Sequence, residues 1–190
     1  MTKSRFIPVF LVLALAGCDQ FRANERAALA IIGPSCPTSA VLSDAVTVTK
    51  LRPGTPVTAN PDPNAVMFTA EMAKPELTCD YDQKRNTLSV DVAFNVRASR
   101  GPAAAADPPL DFFVAIVDID NNVLVKKVYQ FQPNLGGQPA VQWTQNVRDV
   151  VVPIQADQRP GDYEILTGFQ LTPEELAFNR TPKTVPIARQ

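Results

Sequence analysis

Alternation of apolar and polar residues dominates the middle of this chain. In TLSVDVAFNVRAS, Leu88, Val90, Val92, Phe94, Val96 and Ala98 take one phase, and Ser89, Asp91, Asn95 and Arg97 fall in the other. Period-two alternation of this length predicts a strand with one buried and one solvated face. The same rhythm sets Val66, Phe68, Ala70 and Met72 on one side of AVMFTAEM, and Leu77, Cys79 and Tyr81 on one side of LTCDY. DFFVAIVD is almost continuously apolar, as a strand buried on both faces would be. Asp120, Asn121 and Asn122 follow it and tolerate left-handed backbone, so this segment and VLVKKVYQFQ predict a hairpin. VQWTQNVRDVVVPI, DYEILTGFQL and, near the start, SAVLSDAVTVTKL add further strands.

About seven to nine strands at this spacing predict an all-β fold, and we expect an immunoglobulin-like antiparallel β-sandwich with one short C-terminal helix. PGDYEILTGF has the form of a tyrosine corner, in which Tyr163 bonds back to nearby backbone. Prolines 53, 56, 61, 63, 102, 108 and 109 fall between the strands, where they punctuate pairing. The helix signal is LTPEELAFNR: Thr172 caps, Pro173 takes the first turn, and Glu175 completes a capping box. The expected role is a helical turn that plugs one end of the sandwich.

The first residues follow another pattern. Lys3 and Arg5 precede an apolar run over residues 6–16, and small residues lead to Cys18, which is the layout of a secretory signal peptide. The run is well short of the roughly 20 residues that a membrane-crossing helix requires. Leu15, Ala16, Gly17 and Cys18 resemble the lipobox of bacterial lipoproteins. The resemblance implies cleavage after residue 17 and acylation of Cys18, and two or three acyl chains suffice for stable anchoring. An ordinary signal peptide with an incidental cysteine is the alternative. Asp19 resembles the signal that retains lipoproteins in the inner membrane of some two-membrane bacteria, so the expected place is the periplasmic face of that membrane, with the outer membrane as the other possibility.

This gives a cleaved segment at 1–17, a lipidated tether at 18–35, a sandwich domain at 36–180 and a tail at 181–190. As a flexible coil the tether would span about 23 Å root-mean-square. A short juxtamembrane helix over 21–32, or a strand over 30–32, is equally compatible with its sequence. In an oxidising compartment the other two cysteines, Cys36 and Cys79, are expected to pair.

Three segments add a wider resemblance. CPTSAVLSDA, residues 100–105 with the strand at 112–118, and GFQLTPEELAFNR resemble a family of small bacterial lipoproteins without assigned function. That resemblance covers most of the mature chain and implies an envelope location but no activity.

Composition narrows the chemistry. The 190 residues contain no histidine, which removes Ser-His-Asp and Cys-His nucleophiles and histidine-containing zinc sites. The formal net charge of −1, without basic clusters, argues against nucleic-acid binding. The segment beginning Asp118, Ile119, Asp120 has calcium-loop spacing at its start, but Val123 stands where glycine is required and Tyr129 where glutamate is. Glu71, Asp80, Asp82, Asp91, Asp149 and Glu164 mostly fall in the solvated phase of their strands rather than forming a paired-carboxylate site. No cofactor, metal or catalytic residue is expected. The functional expectation is a non-enzymatic binding or assembly module with an envelope protein as partner. The alternatives are a cell-wall or carbohydrate-binding module using Trp143 and nearby tyrosines, and last a carboxylate-dependent hydrolase.

Overall fold

In a computed structural model, the described residues are 35–56, 61–82, 84–85, 87–155 and 158–181. Cys18 and all of the tether but Ser35 lie outside them, as does most of the tail. The compact unit that contains the described strands begins at Cys36.

Among the described residues, nine strands form two sheets. The first sheet has the order β1 (Thr38–Val41), β9 (Glu164–Phe169), β6 (Leu110–Val117), β7 (Val123–Phe131). It is antiparallel except that β1 runs parallel to β9. The second sheet is built on β5 (Thr87–Arg100), whose 14 residues serve three partners. β3 (Val66–Met72) pairs with its C-terminal half and β4 (Glu76–Asp82) with its N-terminal half, while β8 (Ala140–Val152) runs along nearly its whole length. β2 (Thr47–Leu51) extends the sheet beyond β3.

The expected all-β sandwich with a short C-terminal helix is therefore present. Its strand order is distinctive. In the constant-type immunoglobulin arrangement the last two strands are neighbours in one sheet, whereas β8 and β9 here lie in different sheets.

Every apolar position of the alternating β5 pattern, from Leu88 to Ala98, is buried. Phe68, Ala70 and Met72 of β3 join them, and β6 is buried along nearly all of its length because material covers both of its faces. Phe94 of β5 meets Phe112 of β6 edge-on, with ring centroids 5.2 Å apart, and Phe112 stacks on Tyr129 at 5.3 Å. The Phe94–Phe112 contact joins the two layers, and burying each of these two rings contributes roughly 1.5–3 kcal/mol.

SAVLSDAVTVTKL, expected to contribute to the strands, supplies two of them, one to each sheet. β1 ends at Val41, a 3-10 turn spans Ser43–Ala45, and β2 starts at Thr47 in the opposite sheet. The turn is held from outside: Leu42 donates its N–H to the Thr167 carbonyl, and Ala45 packs over Phe113. The close approach requires glycine at 168, where a Cβ would come within 2.8 Å of the Ala45 Cβ.

The Asp118 turn closes the β6–β7 hairpin. The Asp118 carboxylate accepts from the Asn122 side-chain amide and from the backbone N–H groups of Asp120 and Asn122, and Asn121 has φ 63°. These bonds, the Asn122 side chain first, hold the Asp118 carboxyl below its ordinary pKa. An aspartate engaged in this way closes a turn.

Candidate functional site

The described surface has a closed side and an open side. On the closed side, Cys36 precedes β1 in the first sheet and Cys79 sits in β4 of the second, and the two form a disulfide with Cα atoms 5.9 Å apart. The Ser39 hydroxyl adds a bond to the Pro75 carbonyl at 2.8 Å. β1 is thereby joined across the layers at the point where the domain begins.

The C-terminal helix α1 (Pro173–Arg180) reinforces the same half of the molecule. Thr172 accepts from the Glu175 N–H, and Glu175 accepts from the Thr172 N–H at 2.9 Å, a reciprocal capping box. Glu175 also forms an ion pair with Lys50 of β2 at 2.6 Å. The Asn179 amide donates to the carbonyls of Asp44 and Thr47, both at 2.8 Å, and Arg180 pairs with the Asp44 carboxylate at 2.7 Å. Phe178 is buried beneath the helix. The helix is thus docked by polar bonds to the crossover between β1 and β2. The Glu174 carboxyl is lowered by backbone N–H at the helix start and by Thr172.

Tyr163 is 1% exposed and leads into β9. Its hydroxyl donates to the Pro153 carbonyl at 3.1 Å and accepts from the Gln155 N–H at 2.9 Å, which pins the chain leaving β8. A second clasp holds the loops at the other end of the fold. Arg100 makes a two-pronged contact with Asp107 at 2.8 and 2.9 Å, and Asp107 also accepts from the Leu135 N–H at 3.0 Å. The Arg100 guanidinium, and then the Leu135 N–H, hold the Asp107 carboxyl below its ordinary value. Sequence reasoning missed this clasp, because its three members come from the end of β5 and from two proline-containing loops, with no regular spacing.

The outer face of the second sheet is polar. Thr47 and Thr49 of β2, Thr69 and Glu71 of β3, and Arg97 and Ser99 of β5 line an open trough of about 350 Å³. Register explains the grouping: Thr47 lies opposite Glu71, and Glu71 opposite Arg97. Hydroxyls, a carboxylate and a guanidinium on a rigid sheet can form hydrogen bonds with a polar ligand. Trp143 is not among them. It points inward from β8, half-buried, and meets Phe131 of β7 edge-on at 5.3 Å.

Glu71, Asp80, Asp91 and Asp149 are exposed, and Asp91 accepts from the Asp149 N–H across a bulge where Asp149 has φ 55°. Among the described residues, no group of three or more Cys, Asp or Glu is arranged to hold a metal ion. None of their helices is long and apolar enough to cross a membrane.

On the open side, β7 and β8 are the outermost strands of their sheets, and among the described residues each pairs on one edge alone. The Phe131–Trp143 contact is the ring contact that joins them. No family model, curated protein or solved structure matches this chain.

Proposed function

We propose that this chain is a lipid-anchored, non-enzymatic binding or assembly module of the bacterial cell envelope, of the kind that small bacterial lipoproteins exemplify. The observation that carries this reading is the tetrad Leu15, Ala16, Gly17, Cys18, set behind a basic and apolar leader and followed by a compact unit that starts at Cys36. Acylated Cys18 would hold the sandwich at the membrane, and Asp19 directs it to the periplasmic face of the inner membrane. The Cys36–Cys79 disulfide suits an oxidising compartment. A β-sandwich that presents open strand edges and a polar sheet face is suited to recognising a protein partner.

The test is metabolic labelling of the full chain with radioactive palmitate, followed by mass spectrometry of its N-terminal peptide. The expected result is a processed chain that starts at an acylated Cys18 and fractionates with membranes, and loss of the label in Cys18→Ala. An unmodified Cys18, or processing at another bond, overturns the reading.

A further inference from the structure

The two open edges differ in how they are protected. In β7, Lys127 lies opposite Val114, a residue buried in the core. Lys127 therefore takes the inward-facing phase of an edge strand, and a charge placed there opposes the docking of another strand. Its neighbour Lys126 covers the outer face, 4.5 Å from the centre of the Phe113 ring.

β8 has no such device over residues 140–147. The sequence AVQWTQNV contains no charge, proline or glycine, and it ends at the bulge formed by Arg148 and Asp149. Alternate residues of an edge strand direct their N–H and C=O groups away from the paired neighbour. A long, uncharged edge of this type is a template for strand addition.

The segment is also complementary to itself. When two copies are placed antiparallel about Thr144, Val141 falls opposite Val147, Trp143 opposite Gln145, and Gln142 opposite Asn146. The first two pairs lie in the inward-facing phase, where Val147 is buried and Val141 and Trp143 are packed against the core. The third lies on the outer face and matches one carboxamide with another. No like charges meet across these pairs, and such meetings are what destabilise cross-strand neighbours.

We propose that β8 pairs antiparallel with β8 of a second copy of this chain, about a two-fold axis at Thr144, so that the second sheets of two copies become one. The pairing deepens the assembly reading above but does not require the lipid, because every group it uses belongs to the sandwich.

The test uses the full-length chain in cells. Thr144→Cys places a thiol on the axis, and Gln130→Cys, on exposed β7, is the control. Under mild oxidation, Thr144→Cys should give a disulfide-linked dimer and the control and the unaltered chain should not. Gln142→Lys with Asn146→Lys brings like charges together at two symmetric points and should weaken self-association by about tenfold. Gln142→Lys with Asn146→Glu should restore it, with unchanged circular dichroism in both variants. Crosslinking of Thr144→Cys at the control level, or failure of the charge-matched pair to restore association, overturns the proposal. Loss of Cys18 labelling while the Thr144→Cys dimer persists would overturn the anchor alone, and the converse would overturn the pairing alone.

Discussion

The two flanks of the sandwich differ in how their layers are joined. Where β1, β2 and β4 lie, the sheets are tied by a disulfide, by the Ser39–Pro75 bond and by a helix whose Glu175, Asn179 and Arg180 all bond to residues between 44 and 50. Where β7 and β8 lie, side-chain packing such as that of Phe131 on Trp143 joins the layers. Directional and covalent bonds thus gather where the chain enters the domain, the place at which the proposed tether would pull. The opposite flank keeps its backbone edges available.

Breaking the closed flank should have the largest effect. In the chain-entropy account, opening a loop with a sequence separation of 43 costs about 4 kcal/mol. Cys36→Ala with Cys79→Ala should lower unfolding stability by that order, as read by denaturant titration under non-reducing conditions. A loss below about 1 kcal/mol would mean that the helix and the Ser39 bond close the flank without help.

A smaller effect is expected from Asn179→Ala. It leaves the Asp44 and Thr47 carbonyls without their amide donor, and half-buried groups so orphaned cost about 1–3 kcal/mol. Hydrogen exchange should then increase in α1 and the 43–45 turn before it does in β5. Uniform exchange across the domain would show that the flank is not a separate cooperative unit.

The smallest expected effect is a response to acid at the loops beside the open flank. The folded pKa of Asp107 lies below the ordinary aspartate value of 3.8, chiefly through Arg100. The clasp therefore contributes fully above pH 3.8, and its contribution is lost as the pH falls through the lower folded value. Asp118 shifts in the same direction. Asp107→Asn should flatten the acid limb of a plot of stability against pH without moving the plateau near neutrality by as much as the disulfide variant does. An unchanged acid limb would remove Asp107 as a source of acid sensitivity.

Much of this fold was legible in the sequence. The alternation in β5 identified all six of its inward residues, and the double-faced burial of β6 followed from its unbroken apolar run. The capping box and the Asp118 turn were legible because each is a local bonding pattern within a few residues. The division of SAVLSDAVTVTKL between two sheets was not, because its cause is remote: Thr167, Gly168 and Phe113 hold the crossover turn from outside. Trp143 has the same lesson for the candidate site. That it lies in a strand was readable, but that it faces Phe131 depends on how the layers stack.

The sequence by itself determined the periodicity of the strands and the helix cap, since each depends on neighbours along the chain, and its lack of histidine is a matter of composition alone. Tertiary structure decided the rest. It set which strands share an edge, assigned β1 to the last strand rather than to β2, and brought Arg100 and Asp107 to Leu135. It also left β8 outermost. The physical reason is that backbone hydrogen bonds between strands carry no residue code of their own. Partners are chosen by the packing of entire faces, which no single segment specifies.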